Sequence, residues 1–173
     1  GNYVPLRGKE CSTQQMPFIS EKIPTFEEFA NASIEEIYGE EIIDAYERKV
    51  TSFESIILIN KGENKFEIEK LPPLAQSIPI LTSDSYDINE DGYEDVIVGG
   101  NIYNTEVETP RLDNQFAIIL ISDKNKNYST IGPDKSGLYL SGNTKSLKII
   151  DRKNPKLLIA NNNSNLEVFE LNK

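Results

Sequence analysis

The sequence lacks the residues on which most catalytic and transition-metal sites depend. It contains no histidine and no tryptophan, and it has a single cysteine and a single methionine. Without histidine, Ser-His-Asp and Cys-His catalysis are excluded, and so is almost any zinc site. The single cysteine, Cys11, excludes an internal disulfide bond, and we interpret it as a small buried apolar side chain. These absences favour a binding or structural role over catalysis.

Long apolar runs and an excess of positive charge are also missing. No segment is long and apolar enough to predict a membrane-spanning helix, and no secretory signal peptide is recognisable. The chain has 18 basic and 28 acidic residues, which gives a net charge of −10 at pH 7. Nucleic acids and anionic membrane surfaces bind basic faces, so we expect neither as a partner. Because the chain begins with Gly1 and not Met, we expect it to be part of a longer polypeptide.

The first 50 residues predict an extended segment followed by short helices. The segment to about Ser12 shows no periodicity, whereas later residues carry helix-start signals. Thr25 is a suitable N-cap, and Ser33 with Glu36 forms a capping box. A last helix is predicted after Gly39. The apolar residues at helical spacing predict core contacts; they are Phe26, Phe29, Ala30, Ile34, Ile37, Tyr38, Ile42, Ile43 and Tyr46.

From residue 51 onward the hydrophobic pattern changes to that of β-strands. Short apolar runs alternate with polar residues and are separated by Gly-, Asn- and Pro-containing turns. The hairpin centred on Gly62 and the hairpin near Asn125 resemble one element repeated, as in repeat architectures. The predicted strands lie at 52–60, 65–70, 81–86, 96–100, 115–122, 128–131, 146–150, 156–160 and 166–171.

The most informative stretch is the acidic loop from Asp87 to Asp95. Oxygen-bearing side chains occupy its first, third, fifth and ninth positions, and glycine occupies the sixth. This spacing allows a short loop to surround a hard cation, and three carboxylates with one amide oxygen suit Ca²⁺ better than Mg²⁺. We therefore predict a calcium site formed by the side chains of Asp87, Asn89, Asp91 and Asp95 and the backbone carbonyl of Tyr93.

The residues after this loop distinguish it from an EF-hand. An EF-hand requires a bidentate glutamate at the twelfth position, where this sequence has Val98. An apolar strand follows the loop where an EF-hand has a helix. We interpret Glu90 and Glu94 as solvated charges at its rim. The strand pattern is repeated after residue 146, and the segment there that corresponds to the acidic loop is Asp151–Pro155. It has two cations and too few carboxylates, so it should bind no metal.

This strand–loop–strand pattern resembles the FG-GAP (VCBS-type) repeat of β-propellers, as in the integrin α-chain head and in bacterial proteins of the Bacteroidetes type. The loop motif and the following apolar run that ends in Gly99-Gly100-Asn101 carry most of the likeness. Further segments resemble bacterial members of the family: Arg7–Ser12, Gln15–Ile19, Ile37–Gly39, Leu58–Asn60, and Tyr103 with Glu106, Arg111 and Asp113. The resemblance implies a β-propeller fold, calcium binding and an exported location, but no reaction.

The fold expected from these patterns is mainly β. Residues 51–173 would form about two and a half propeller blades, and residues 1–50 would be an N-terminal helical insertion packed on them. Two and a fraction blades do not close a ring, which leaves sheet edges open. We therefore expect a fragment of a larger propeller that either associates with itself through open blade edges or is marginally stable.

A second polar group is predicted outside the loop. Arg7, Glu10, Arg111 and Asp113 form either a functional cluster between blades or structural ion pairs that anchor loops; the second interpretation is favoured. Tyr103 is either a stacking platform for a sugar or a half-buried loop aromatic, which is the commoner situation.

The leading functional hypothesis is a calcium-binding propeller segment of an exported or cell-surface protein of the binding or adhesion type. Its ligand would be a protein or a glycan, and we expect no catalytic activity. One alternative is the non-catalytic part of a propeller enzyme that acts on polysaccharide. Another is a purely architectural set of terminal blades. An enzyme would gather carboxylates, or a Tyr–Arg pair, in a pocket with shifted pKa values, whereas here the carboxylates concentrate in the loop.

Overall fold

The computed structural model describes residues 2–107, 109–125 and 127–171. The chain divides into two compact units, Gly1–Thr51 and Ser52–Lys173. The described part of the second unit consists of three open antiparallel sheets, and the helices of the first unit precede it. None of the described helices has the length and hydrophobicity needed to span a membrane.

Short helices make up the N-terminal unit. They are α1 (Lys9–Gln15), α2 (Phe18–Lys22), α3 (Phe26–Asn31), α4 (Ile34–Tyr38) and a 3₁₀ helix (Gly39–Asp44). The predicted caps are confirmed, because Thr25 with Glu28 and Ser33 with Glu36 each form a reciprocal capping box. Such boxes satisfy backbone N–H groups that a helix start leaves unpaired. The small core of this unit contains Ile19, Ile23, Phe29 and Ile37.

Three expectations for this unit were wrong. Phe26 and Ala30, which were expected to make core contacts, are exposed. A helix begins at Lys9, where an extended segment was expected; Ser12 is its only buried residue, so no apolar stripe signals it. The predicted last helix is only a 3₁₀ segment, and its expected core residues Ile43 and Tyr46 are 78% and 82% exposed. With only six residues the 3₁₀ segment is too short to bury a continuous stripe.

The described part of the second unit contains nine strands, each of which overlaps a predicted strand. They are β1 (Ile56–Asn60), β2 (Phe66–Lys70), β3 (Thr82–Tyr86), β4 (Asp95–Gly99), β5 (Ile118–Ser122), β6 (Tyr128–Ile131), β7 (Asn143–Ile150), β8 (Lys156–Asn162) and β9 (Glu167–Glu170). A 3₁₀ helix (Pro73–Ser77) follows β2, and a single helical turn, α5 (Pro133–Ser136), follows β6. The sheets have the orders β1-β2, β3-β4-β5-β6 and β7-β8-β9.

The four-stranded sheet is covered on both faces. On one face Ile97 and Ile119 join a core cluster with Leu147, Leu157 and Ile159 of the third sheet. On the other face Val98, Ile118 and Leu120 cluster with Leu71, Ala75 and Ile78, which follow β2. Because successive side chains of a strand point to opposite faces, the continuous apolar runs in β4 and β5 supply both clusters. Each fully buried Ile or Leu contributes about 1.5–3 kcal/mol to stability.

Candidate metal loop

The acidic loop connects β3 to β4, the first two strands of the four-stranded sheet. Tyr86 at the end of β3 pairs with Asp95 at the start of β4. The residues between them therefore form a hairpin loop whose two ends are fixed by the strand register. The loop itself is mostly exposed, whereas Asp95 is fully buried.

The carboxylates of the loop accept hydrogen bonds from its own backbone. Asp87 accepts from the N–H groups of Asp91 at 3.1 Å and Gly92 at 3.0 Å. Asp91 in turn accepts from the N–H of Tyr93 at 2.9 Å. The side-chain oxygen of Asn89 accepts from the N–H of Asp91 at 3.2 Å, and its amide nitrogen donates to Asp91 Oδ2 at 3.0 Å. The side chains of Asp87, Asn89 and Asp91 are thus hydrogen-bonded within one tight turn.

Asp95 holds the loop against the sheet. Its Oδ2 accepts a hydrogen bond from the N–H of Ile88, and its Oδ1 accepts one from the N–H of Ser122 on β5, both at 2.9 Å. The Ser122 hydroxyl donates to the carbonyl of Glu94 at 2.9 Å. A carboxylate with no exposed surface needs such donors, because burying an unpaired charge is costly. Asp95 therefore has a structural role that does not depend on any cation.

The loop backbone includes two residues in left-handed conformations. Gly92 has φ +90° and Glu90 has φ +58°. A Cβ disfavours this region by roughly 1–2 kcal/mol, so glycine suits the sixth position. The sequence predicted this for Gly92, but it gave no sign of the same conformation at Glu90.

A cation from the next sheet lies at the rim of the loop. Arg152, in the turn between β7 and β8, forms an ion pair with Glu94 at 3.3 Å and donates to the carbonyl of Ser85 at 3.0 Å. The hydroxyl of Tyr86 donates to the carbonyl of Arg152 at 3.4 Å. The β7–β8 turn, for which no metal was predicted, therefore places a positive charge beside the predicted metal loop. Sequence reasoning missed this link because Arg152 and Glu94 lie far apart along the chain.

The loop offers donor atoms of the class that Ca²⁺ takes in proteins, namely carboxylate, amide and carbonyl oxygens. Each carboxylate oxygen has more than one acceptor site, so the observed backbone bonds leave lone pairs for a cation. Within the described ranges, no group of three or more His, Cys, Asp or Glu side chains is arranged to hold a metal ion. The calcium ligands Asp87, Asn89, Asp91, Tyr93 and Asp95 remain a prediction based on donor chemistry and spacing.

A cleft with aromatic and acidic walls adjoins the loop. It has a volume of about 440 Å³, and its lining includes Tyr93, Glu94, Asp123 and Tyr128. Tyr93 is 43% exposed. Burial raises the pKa of Tyr128, and the nearby negative charge of Glu69 adds to this effect. Tyr128 and Asp123 come from the β5–β6 hairpin, and only the fold brings them beside the loop.

The second polar group forms around Tyr103. Its hydroxyl donates to Asp113 at 3.2 Å, and Arg111 pairs with Asp113 at 2.9 Å. The Arg111 guanidinium also lies over the Tyr103 ring, 4.6 Å from the ring centre. Burial raises the pKa of Tyr103, and the hydrogen bond to Asp113 raises it further. One face of this ring is therefore covered by a cation, and the Arg111–Asp113 ion pair fits the favoured structural interpretation.

The other two members of that predicted group lie in the N-terminal unit. Glu10 is in the first turn of α1, and Arg7 precedes that helix. The joint cluster of Arg7, Glu10, Arg111 and Asp113 stays a prediction.

Searches of protein-family models, curated proteins and solved structures find no match to this chain. The resemblance to FG-GAP/VCBS repeats thus rests on the sequence motifs alone.

Proposed function

We propose that this chain is a calcium-binding β-propeller segment of an exported or cell-surface protein of the binding type. The main supporting observation is the position of the acidic loop. It connects the first two strands of a four-stranded antiparallel sheet, and the side chains of Asp87 and Asp91 accept hydrogen bonds from the backbone of one turn.

The proposed calcium ligands have distinct tasks. Asp87, Asn89 and Asp91 would hold the ion from the exposed turn, and the carbonyl of Tyr93 would add a further oxygen. Asp95, which is anchored by Ile88 and Ser122, would connect the ion to the buried strand β4. The cation would neutralise carboxylates that otherwise repel each other. This would lower the free energy of the folded loop relative to the unfolded chain.

The arrangement of the sheets supports the propeller part of the proposal. Propeller blades are four-stranded antiparallel sheets that pack face to face. The central sheet has four strands in sequential order, and its two faces meet residues of the preceding and following strand groups. On this interpretation β1 and β2 are the last two strands of one blade, and β7–β9 are the first three strands of another.

The absence of histidine from the sequence and the surface beside the loop support the binding role. The cleft beside the loop, lined by Tyr93, Glu94, Asp123 and Tyr128, combines aromatic faces with hydrogen-bond acceptors. Such a combination fits a glycan or a polar protein segment. For an exported protein we expect a Kd of roughly 10⁻⁴–10⁻³ M, the range of extracellular calcium sites. We expect no catalytic turnover.

Titration calorimetry with CaCl₂ and, separately, MgCl₂ tests the calcium site. We expect one calcium site per chain, weaker binding of magnesium, and a higher melting temperature in calcium than in EDTA. At free calcium of about a hundred times Kd the stabilisation should reach roughly 2.7 kcal/mol.

Two variants distinguish the loss of calcium ligands from a general loss of negative charge. The double variant Asp87→Asn/Asp91→Asn should lose calcium binding. The control Asp123→Asn changes another exposed turn whose aspartate accepts backbone N–H bonds from Asn125 and Asn127, and it should bind calcium normally. No calcium heat in the unmodified chain, together with no change in melting temperature on chelation, would contradict the proposal.

A further inference from the structure

One edge of the two-stranded β1-β2 sheet has no strand partner among the described residues. Strand β1 pairs only with β2. The N–H of Leu71 donates to the carbonyl of Ser55, and the N–H of Lys61 donates to that of Lys65. Hydrogen-bonded pairs alternate along an antiparallel ladder, so the odd-numbered residues of β1 face β2. The N–H and C=O groups of Ile56 and Leu58 therefore point to the other, unpaired edge.

An apolar cleft lies between the start of β1 and the four-stranded sheet. Its volume is about 410 Å³, and on the β1 side it is lined by Ser55, Ile56 and Ile57, together with Leu71, which follows β2. The opposite wall belongs to the four-stranded sheet and includes Val96, Val98 and Leu120. Ile56, whose N–H and C=O point to the unpaired edge, therefore lies at the wall of an apolar cleft.

A repeated sequence within the chain shows which kind of strand pairs with an edge equivalent to that of β1. Residues Ile56–Ile59 and Ile118–Ile121 have the same sequence, Ile-Ile-Leu-Ile, and each run begins the first strand of a hairpin. In the second copy β5 pairs with β6 on one side and with β4 on the other. The edge of β5 that pairs with β4 corresponds to the unpaired edge of β1. The side chain of Leu120 is 1% exposed because it packs with Leu71, Ala75 and Ile78, whereas its counterpart Leu58 is 56% exposed.

We propose that the unpaired edge of β1 binds an extended peptide strand of the same kind as β4. The strand would pair with the backbone of Ile56 and Leu58 and place short β-branched side chains against Val96 and Val98. This mode of recognition is strand addition, in which backbone hydrogen bonds provide affinity and alternate side chains provide specificity. The inference rests on the sheet geometry and does not require the calcium site; in the proposed propeller the bound strand would take the place of the second strand of the blade that contains β1 and β2.

The test uses the whole chain and a synthetic nonapeptide with the sequence of residues 93–101, which contains β4. We expect the peptide to bind and to slow hydrogen exchange at the amides of Ile56 and Leu58. Two N-methylated versions serve as matched controls, one modified at the residues equivalent to Val96 and Val98 and the other at those equivalent to Ile97 and Gly99. Only one edge of an added strand faces β1, so one version should bind about tenfold more weakly because it loses two backbone hydrogen bonds.

A pair of protein variants gives a second measurement. Leu58→Pro removes an N–H that points to the unpaired edge, which edge strands tolerate, and it should weaken peptide binding. Leu58→Ala keeps that N–H and should bind the peptide as the unmodified chain does. The proposal is overturned if the peptide does not bind, or if both N-methylated peptides bind equally well. Protection of Ile56 and Leu58 by self-association in the absence of peptide would instead identify a second copy as the occupant and overturn the assignment to a peptide strand.

Discussion

Asp84 accepts a hydrogen bond at 2.6 Å from the backbone N–H of Ile149, a residue of another sheet. Its other oxygen pairs with Lys148 at 2.8 Å. Nearby, the hydroxyl of Thr82 accepts from the N–H of Leu147 at 3.0 Å. Side chains of β3 therefore satisfy backbone groups on the edge of β7. This arrangement joins the second and third sheets without continuous strand pairing.

We predict that Asp84→Ala lowers the free energy of unfolding by about 1–3 kcal/mol, because it leaves the N–H of Ile149 without its acceptor. Asp84→Asn retains an acceptor and should cost less. Urea unfolding followed by circular dichroism measures both, and exchange of the Ile149 amide should become faster in the Ala variant. Glu170→Gln is the control, since it removes an exposed ion pair with Lys156 and should have little effect. Equal stability of Asp84→Ala and Glu170→Gln would refute the role of Asp84.

The contribution of Asp84 should also depend on pH. Burial raises the pKa of Asp84, but the hydrogen bonds from Lys148 and from the Ile149 N–H outweigh burial and hold the pKa below its ordinary value. A lowered folded-state pKa stabilises the fold above the unfolded-state pKa, near 3.9 for aspartate. This stabilisation is lost as the pH falls through the folded-state value. The stability difference between the unmodified chain and Asp84→Ala should therefore shrink below about pH 4.

The repeated Ile-Ile-Leu-Ile run allows a comparison of burial at nearly constant sequence. Leu120→Ala should destabilise the chain by about 2–5 kcal/mol, because Leu120 is fully packed. Leu58→Ala should cost much less, because Leu58 is 56% exposed. Thermal and urea unfolding of the two variants under the same conditions measure the difference. Similar losses for both would mean that another part of the protein covers Leu58.

The strands and the loop that joins β3 to β4 could be predicted because their signals are local. Apolar alternation marks the strands, and Asp, Asn and Gly at fixed spacing mark the turn. The interpretation of Thr25 and Ser33 as caps was also correct, since a capping box is complete within four residues. The calcium ligands themselves stay a prediction.

What the sequence did not predict depends on contacts between distant residues. Nothing in the sequence near Asp84 indicates that its carboxylate accepts a hydrogen bond from the N–H of Ile149. Similarly, nothing near Arg152 indicates its ion pair with Glu94. For Ile43 and Tyr46 the helical spacing predicted burial that the structure does not show. Periodicity shows that residues share a face, but burial also needs a neighbouring element against which that face packs.

The conformation of Gly92 gives a test of the loop that does not require calcium. We predict that Gly92→Ala lowers the free energy of unfolding in EDTA by roughly 1–2 kcal/mol, because φ is +90° and a Cβ disfavours the left-handed region. Gly92→Asn should cost less, since asparagine tolerates positive φ. Urea unfolding in EDTA measures both changes. An Ala variant as stable as the unmodified chain would show that the loop does not hold Gly92 in this conformation.

The side chain of Asn101 connects two segments that are distant in the sequence. It is fully buried, its amide nitrogen donates to the carbonyl of Gly142 at 2.7 Å, and its oxygen accepts from the N–H of Asn114 at 3.2 Å. Asn101 thus joins the end of the long β4–β5 connection to the segment that leads into β7. We predict that Asn101→Ala lowers the free energy of unfolding by about 2–3 kcal/mol, because the buried carbonyl of Gly142 and the partly buried N–H of Asn114 lose their hydrogen bonds.

Two further variants separate the hydrogen bonds of Asn101 from general effects of losing an asparagine. Asn101→Asp keeps an acceptor for the N–H of Asn114 but places a second oxygen against the carbonyl of Gly142, so we expect a comparable loss. Asn154→Ala, in the exposed turn after β7, should leave stability unchanged. Urea unfolding gives the free energies, and exchange at the amide of Asn114 should accelerate in the Ala variant but not in the Asp variant. If the Asn114 amide exchanged equally slowly in all three variants, the connection would be held by other contacts and not by the side chain of Asn101.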